Sequence, residues 1–132
     1  ETEKRLQDHG HHHRQAAITA LLKEQCDWIC LTNQDNYYAP VFLEAMLFEA
    51  QRKKVPFAYC NCVHSHKQWK ALSTDLRRGK IDLGCFIAHR SIVERIKFDK
   101  VTFSADWDFI SRLIQASKSR VARLDATLFV HN

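Results

Sequence analysis

Trp28-Ile29-Cys30-Leu31-Thr32-Asn33-Gln34-Asp35-Asn36-Tyr37-Tyr38-Ala39-Pro40 is the stretch on which the fold turns. Trp28 to Leu31 is an apolar run short enough for one buried strand, read from Trp28 to Thr32, a polar cluster with a single carboxylate follows, and Pro40 stands at a first helical position where its missing N–H costs nothing. That order puts Asp35 at the carboxyl edge of a strand, the edge where ligands bind in open α/β sheets. Asn and Asp ahead of Pro are also ordinary turn and helix-start residues, so the cluster taken alone has a purely structural reading.

Residues 1–10 are charged and lack an apolar period, while Ala16, Ala17, Ile18, Ala20, Leu21 and Leu22 fit one face of a helix. Beyond Pro40, Val41 to Arg52 reads as a helix with Leu43, Met46, Leu47 and Ala50 as its buried stripe. Val55-Pro56 ends it, and Phe57 to His64 reads as a second strand. Residues 65–80 are polar without a clean period, a loop of the length that often carries function. Ile81 to His89 reads as a third strand, with Gly84 marking a place where a backbone or ligand approaches closely. Ser91 is positioned to cap a short helix to Ile96, and Ser104 a longer one whose apolar face is Trp107, Ile110, Leu113 and Ile114. Val121 to Val130 closes the chain as a strand. This alternation predicts an α/β fold, a layered mixed sheet flanked by helices, with residues 1–132 forming one domain.

With 45% apolar and 27% charged residues, the composition is that of a soluble globular protein, and no run is apolar enough to span a membrane. Five cysteines, an odd number set mainly inside apolar runs, suit reduced buried thiols and a cytoplasmic location better than a disulfide framework. A net charge of +5 favours phosphate-rich partners. The basic residues are scattered in small clusters such as Arg52-Lys53-Lys54 and no nucleic-acid motif accompanies them, so nucleic acid is not an expected partner. The charge leaves room for a peripheral position at the inner membrane.

Asn33, Gln34, Asp35, Asn36 and Pro40 match, in order, the metal-binding signature of family 2 glycosyltransferases with the GT-A (nucleotide-diphospho-sugar transferase) fold. Asn33 stands where that family usually has its first aspartate. Three further stretches resemble the same family in the same order. Ile81 to Arg90 looks like its acceptor-side strand, with Gly84 lining the acceptor side. Ala105-Asp106-Trp107-Asp108-Phe109 looks like its Glu-Asp motif, with Ala105 replacing the Glu. Leu128-Phe129-Val130-His131-Asn132 resembles the strand end that carries a histidine near the metal. The resemblance covers about residues 14 to 132 and includes Arg14.

The resemblance implies an inverting sugar transfer from a nucleotide-sugar donor to a saccharide or other hydroxyl acceptor. Asp106 would be the catalytic base, and Asp35, His131 and Asn33 the ligands of Mn or Mg. Gly84, His64, His66, Trp69 and Asp108 would face substrate, with Trp69 stacking on a sugar. It further implies that this chain is the C-terminal, acceptor-side part of a GT-A domain lacking the nucleotide-binding unit. An open sheet edge, a homo-oligomer and weak activity are then expected.

Several stretches keep a second reading. Asp106 and Asp108 can simply complement the positive end of a helix. The whole scaffold can be a non-catalytic module that binds a sugar or a partner. Cys60, Cys62, His64 and His66 alternate onto one strand face and could hold zinc or copper, although their spacing is not that of common zinc folds. His9, His11, His12 and His13 are expected to be solvated.

Overall fold

The computed structural model describes residues 11–98 and 105–132, so the expected cap at Ser104 lies outside the described residues. Along the chain run helix α1 (His11–Lys23), strands β1 (Trp28–Ile29) and β2 (Tyr37–Tyr38), helix α2 (Phe42–Lys53), strands β3 (Phe57–His64), β4 (Lys70–Leu72) and β5 (Phe86–His89), helices α3 (Arg90–Val93) and α4 (Ala105–Ala116), and strand β6 (Ala122–His131). The strands form one mixed sheet in the order β1-β5-β3-β6-β2, with β4 pairing β3 off that path.

Alternation along β3 organises the layers. Phe57 and Tyr59 point to one core, where Ile18 of α1, Val93 of α3, and Phe109 and Leu113 of α4 meet them. Ala58, Cys60 and Cys62 point to the other, filled by Phe42, Met46 and Ala50 of α2 together with Phe129. Both faces of β3 are therefore covered, which is why its sequence reads as a nearly continuous apolar run. The molecule is a mixed α/β layering with helices on both faces of the sheet.

β3 and β6 run parallel and end together, with His64 opposite His131. Their register shifts on either side of Asn61, where β6 carries unpaired extra residues. Asn61 repairs this irregularity. Its side-chain oxygen accepts from the Thr74 backbone N–H at 3.0 Å and its amide donates to Asp125 Oδ1 at 2.9 Å. Asn61→Leu strands the buried Thr74 N–H and should lower stability by about 2 kcal/mol, read as a shifted urea midpoint at unchanged slope. A midpoint equal to wild type would mean that the bond contributes nothing.

Several expectations are corrected. The first strand spans Trp28–Ile29, not Trp28 to Thr32, because only those residues find ladder partners on β5. Tyr37–Tyr38, unread in the sequence, forms a strand against β6. In α1 Ile18 is buried and Leu22 partly so, whereas Ala16, Ala17 and Ala20 are exposed. In α2 Phe42 replaces Leu43 in the stripe, and Leu43 is 56% exposed. The loop 65–80 contains a 3₁₀ turn at Ser65–Lys67 and then β4. The third strand begins only at Phe86, because Leu83–Cys85 winds into a 3₁₀ turn. His89, not Ser91, caps α3, its Nδ1 accepting from the Ser91 N–H. In α4 Ala105 and Phe109 join Ile110 and Leu113 inside, while Trp107 and Ile114 are half-buried.

All five cysteines are free. Burial pushes the Cys60 thiol up to about 12, as expected for an inert buried thiol. Among the described residues no helix is long and apolar enough to cross a membrane.

Candidate functional site

The carboxyl ends of parallel β3 and β6 lie side by side, and the segments leading to and from their neighbours close over them. Asp82 comes first in this construction. Its Oδ1 accepts from the Gly84 N–H at 2.9 Å, an Asx turn that bends the chain into the 3₁₀ turn before β5. Gly84 can make this turn only without a side chain, since a Cβ there would lie 2.3 Å from Phe129 Cζ. The Tyr38 hydroxyl donates to the Gly84 carbonyl at 3.1 Å and ties the same turn to β2. Burial and the neighbouring Cys30 push the Tyr38 hydroxyl well above its ordinary range, so it remains a donor.

The polar turn after β1 is anchored to the same end. Asn36 Oδ1 accepts from the Asn132 backbone N–H at 3.2 Å, next to His131. Arg14 reaches across from α1. Its NH1 lies 3.4 Å from Asp106 Oδ1 and its NH2 donates to Asn33 Oδ1 at 3.1 Å. With Asp106 45% exposed this ion pair contributes at most about 1 kcal/mol. Its importance is that one guanidinium sets two side chains against each other.

Arg14, Asn33, Asp82, Gly84, Asp106 and His131 thus line one small pocket of about 40 Å³. That volume holds an ion or a water molecule, not a sugar. Next to it lies a pocket of about 380 Å³, the size of a small-ligand site, walled by Cys62, His64, Thr74, Lys67, Lys80 and Asp82. Asp82 belongs to both pockets, and His131 and His64 each belong to one.

Between the two pockets, His64, Asp82 and His131 bring three potential ligand atoms within 4.8 Å of one another, the only such grouping of His, Cys, Asp or Glu among the described residues. The imidazoles stack with ring centres 4.1 Å apart and 12° between planes. Asp82 Oδ2 lies 2.7 Å from His131 Nδ1. This buried nitrogen nevertheless has no hydrogen-bond partner among the described residues, so the two atoms are close without N–H···O alignment. Burial first, and then the facing His131, push His64 below the usual imidazole range, leaving it neutral at neutral pH.

Three of the four family-like stretches therefore contribute to one pocket through Gly84, Asp106 and His131, and the remaining one contributes Asn33. Asp35 is exposed in its turn and does not line this pocket. His64 walls the larger pocket. His66 and Trp69 are exposed and line neither pocket, and Asp108 pairs with Arg112 at 2.8 Å on α4. The Cys60–Cys62 pair faces the α2 core, and His66 leaves the strand for the 3₁₀ turn, so the proposed thiol–imidazole face does not assemble. Asp82 escaped the sequence reading, although an acid two residues before a glycine inside an apolar run is an Asx-turn signal.

A third cleft of about 420 Å³ sits by Pro56, at the other end of β3. It is walled by Lys54, Arg95, Lys118 and Arg120 without a carboxylate, which suits an anion but supplies no acidic residue for chemistry. The polar end at His64 and His131 is the better candidate for a reaction.

In comparison with known proteins, the chain matches no family model and no curated protein sequence.

Proposed function

We propose that this chain belongs to a glycosyltransferase-like domain of the GT-A type that transfers a sugar, with inversion, from a nucleotide-sugar to an acceptor hydroxyl. The observation that supports this reading best is the convergence of Arg14, Asn33, Gly84, Asp106 and His131, from five separate segments, on one pocket at the carboxyl ends of β3 and β6. In this reading the acceptor hydroxyl attacks the anomeric carbon. Its proton passes to the Asp106 carboxylate while the bond to the nucleoside diphosphate breaks. Arg14 orients that carboxylate, and its second amine keeps Asn33 at the rim. A bound divalent ion, Mn or Mg in the family, would supply charge neutralisation for the departing diphosphate. The acceptor fits the larger pocket in size, and Asp82 lines both pockets.

One observation favours a different reading. Asp35, the sole acid of the Thr32–Asn36 turn, is exposed and lines neither polar pocket, as in a binding module that has lost its donor chemistry. Calorimetry of the full-length polypeptide against a panel of nucleotide-sugars, with and without manganese or zinc, separates the two. Metal-dependent donor binding is expected. Binding of free sugar alone, or no heat with any donor, would overturn the transferase reading.

A further inference from the structure

We infer that His64, Asp82 and His131 form a mononuclear site for a borderline divalent transition ion of the Zn(II) type, set in the wall between the two polar pockets. The inference gives the proposed transfer site its metal centre and ion class, and it differs from the hard Mn or Mg centre at the Asp35 turn that the sequence resemblance implies.

Geometry carries the assignment. The three ligand atoms lie within 4.8 Å of one another. Ligands sharing one tetrahedral zinc at 2.0–2.2 Å stand about 3.4 Å apart, so the widest pair closes by at most about 1.5 Å, a movement that side-chain rotation supplies as one imidazole turns out of the stack. His131 Nδ1 already sits 2.7 Å from Asp82 Oδ2 without a hydrogen bond between them. A buried nitrogen and a carboxylate oxygen that approach closely with no aligned proton are both satisfied by a shared cation.

The backbone supports the same placement. His64 and His131 are register partners on parallel β3 and β6, and Asp82 is held by its Asx turn, so all three ligands come from fixed elements. The carboxylate has an oxygen to spare, because Oδ1 serves Gly84 while Oδ2 faces His131.

Donor chemistry selects the ion. Two imidazoles with one carboxylate suit Zn(II), Co(II) or Ni(II), whereas Mg(II) requires an octahedral oxygen shell and surrenders its water reluctantly. Three protein ligands leave at least one position open, as catalytic zinc sites do. The ion would carry a net charge of +1 on this set, and the exposed Lys67 and Lys80 around the larger pocket add to its attraction for an anionic ligand.

Loading the site has a visible consequence. His64 Nδ1 accepts from the His66 backbone N–H at 3.2 Å. Coordination through either imidazole nitrogen removes that acceptor, through occupation of Nδ1 or through its protonation. The His66 amide should therefore shift and lose exchange protection when metal binds.

The test uses the full chain stripped with chelator and titrated with Zn(II) in competition with a chromophoric chelator, without any sugar donor. Stoichiometry is read by elemental analysis, and coordination by the visible spectrum of the Co(II) form. One zinc per chain is expected, retained against excess magnesium. Replacing His9, His11, His12 and His13 together by Ala should leave that affinity unchanged. His64→Ala and Asp82→Asn should each weaken it by more than about 100-fold. Asn at 82 keeps the oxygen that accepts from Gly84, so its loss of binding is not a loss of fold. Zinc that disappears with the N-terminal histidines, or that binds Asp82→Asn and His64→Ala as tightly as wild type, would overturn the assignment. Zinc binding without any donor binding would remove the transferase reading and leave the metal site. Manganese-dependent donor binding unaffected by either substitution would do the reverse.

Discussion

Gly84→Ala is expected to destabilise the folded chain by about 3 kcal/mol and to lower Tm by roughly 10 °C. The added Cβ would stand 2.3 Å from Phe129 Cζ and 2.6 Å from its Cε2, far inside contact distance. Phe129 cannot retreat, because it is fully buried and its ring packs against Tyr38 at 4.9 Å between centres. Gly84 cannot move away cheaply either, since its N–H is held by Asp82 and its carbonyl by Tyr38. Its φ is not positive, so the requirement is steric rather than conformational. That distinction makes the prediction specific: Phe129→Leu, which removes the ring edge, should recover part of the loss when combined with Gly84→Ala. The two substitutions must then be non-additive by about 1 kcal/mol or more in a double-mutant cycle. A Gly84→Ala protein that melts within about 2 °C of wild type would refute the close packing of this turn on Phe129.

The effect also reaches the site, because Asp82 and His131 flank the contacting pair in sequence. Widening the gap between the 3₁₀ turn and β6 separates the carboxylate from the imidazole it faces at 2.7 Å. Stability and zinc affinity should therefore fall together in Gly84→Ala, whereas Asn61→Leu, within the bulge and bonded to Thr74 and Asp125 rather than to a ligand residue, should alter stability alone.

How much of this could be read from residues alone depends on what enforces each feature. β3 was legible from Phe57 to His64 because burial on both faces writes a continuous apolar run bounded by Pro56 and polar residues. α2 was placed to within one residue at each end because Pro40 and Val55-Pro56 bracket it, and the structure ends it on the left-handed Lys54 just before them. Its stripe was misassigned at Leu43 because six apolar residues in the first two turns offer more than one face, and packing in the core shared with β6 selects Phe42 and Met46. The edge strands were mistaken because a two-residue strand is set by its partner's register and not by its own propensity.

The same logic divides the site. Gly84, Asp106 and His131 were named from the family resemblance of their stretches, and the chain brings them together. Asp82 was missed because its value comes entirely from neighbours in space, a glycine N–H two residues on and an imidazole from the last strand. The link between His64 and His131 is likewise invisible locally, since it arises from parallel pairing across a bulge. Arg14 was read only as part of a matching segment, and its bridge between Asn33 and Asp106 depends on how α1 lies over the sheet.

Asp106→Asn should reduce sugar transfer by about 10²- to 10⁴-fold, measured as kcat with whichever donor calorimetry identifies. Asn preserves the shape and an oxygen that accepts from Arg14, so donor affinity should stay within about twofold and the loss should fall on kcat rather than KM. What vanishes is the ability to receive the acceptor's proton as the new glycosidic bond forms. The competing account is that Asp106 is one of two acids, with Asp108, in the first turn of α4 and acts only on that helix's dipole. A dipole role predicts a stability change of about 0.3–1 kcal/mol and turnover close to wild type. Asp108→Asn provides the matched control: it removes the same charge from the same turn, but its carboxylate pairs with Arg112 and does not line the pocket. Turnover close to wild type in both variants, with equal small stability losses, would assign both carboxylates to the helix, and a kinetic loss confined to Asp106→Asn would assign proton transfer to Asp106.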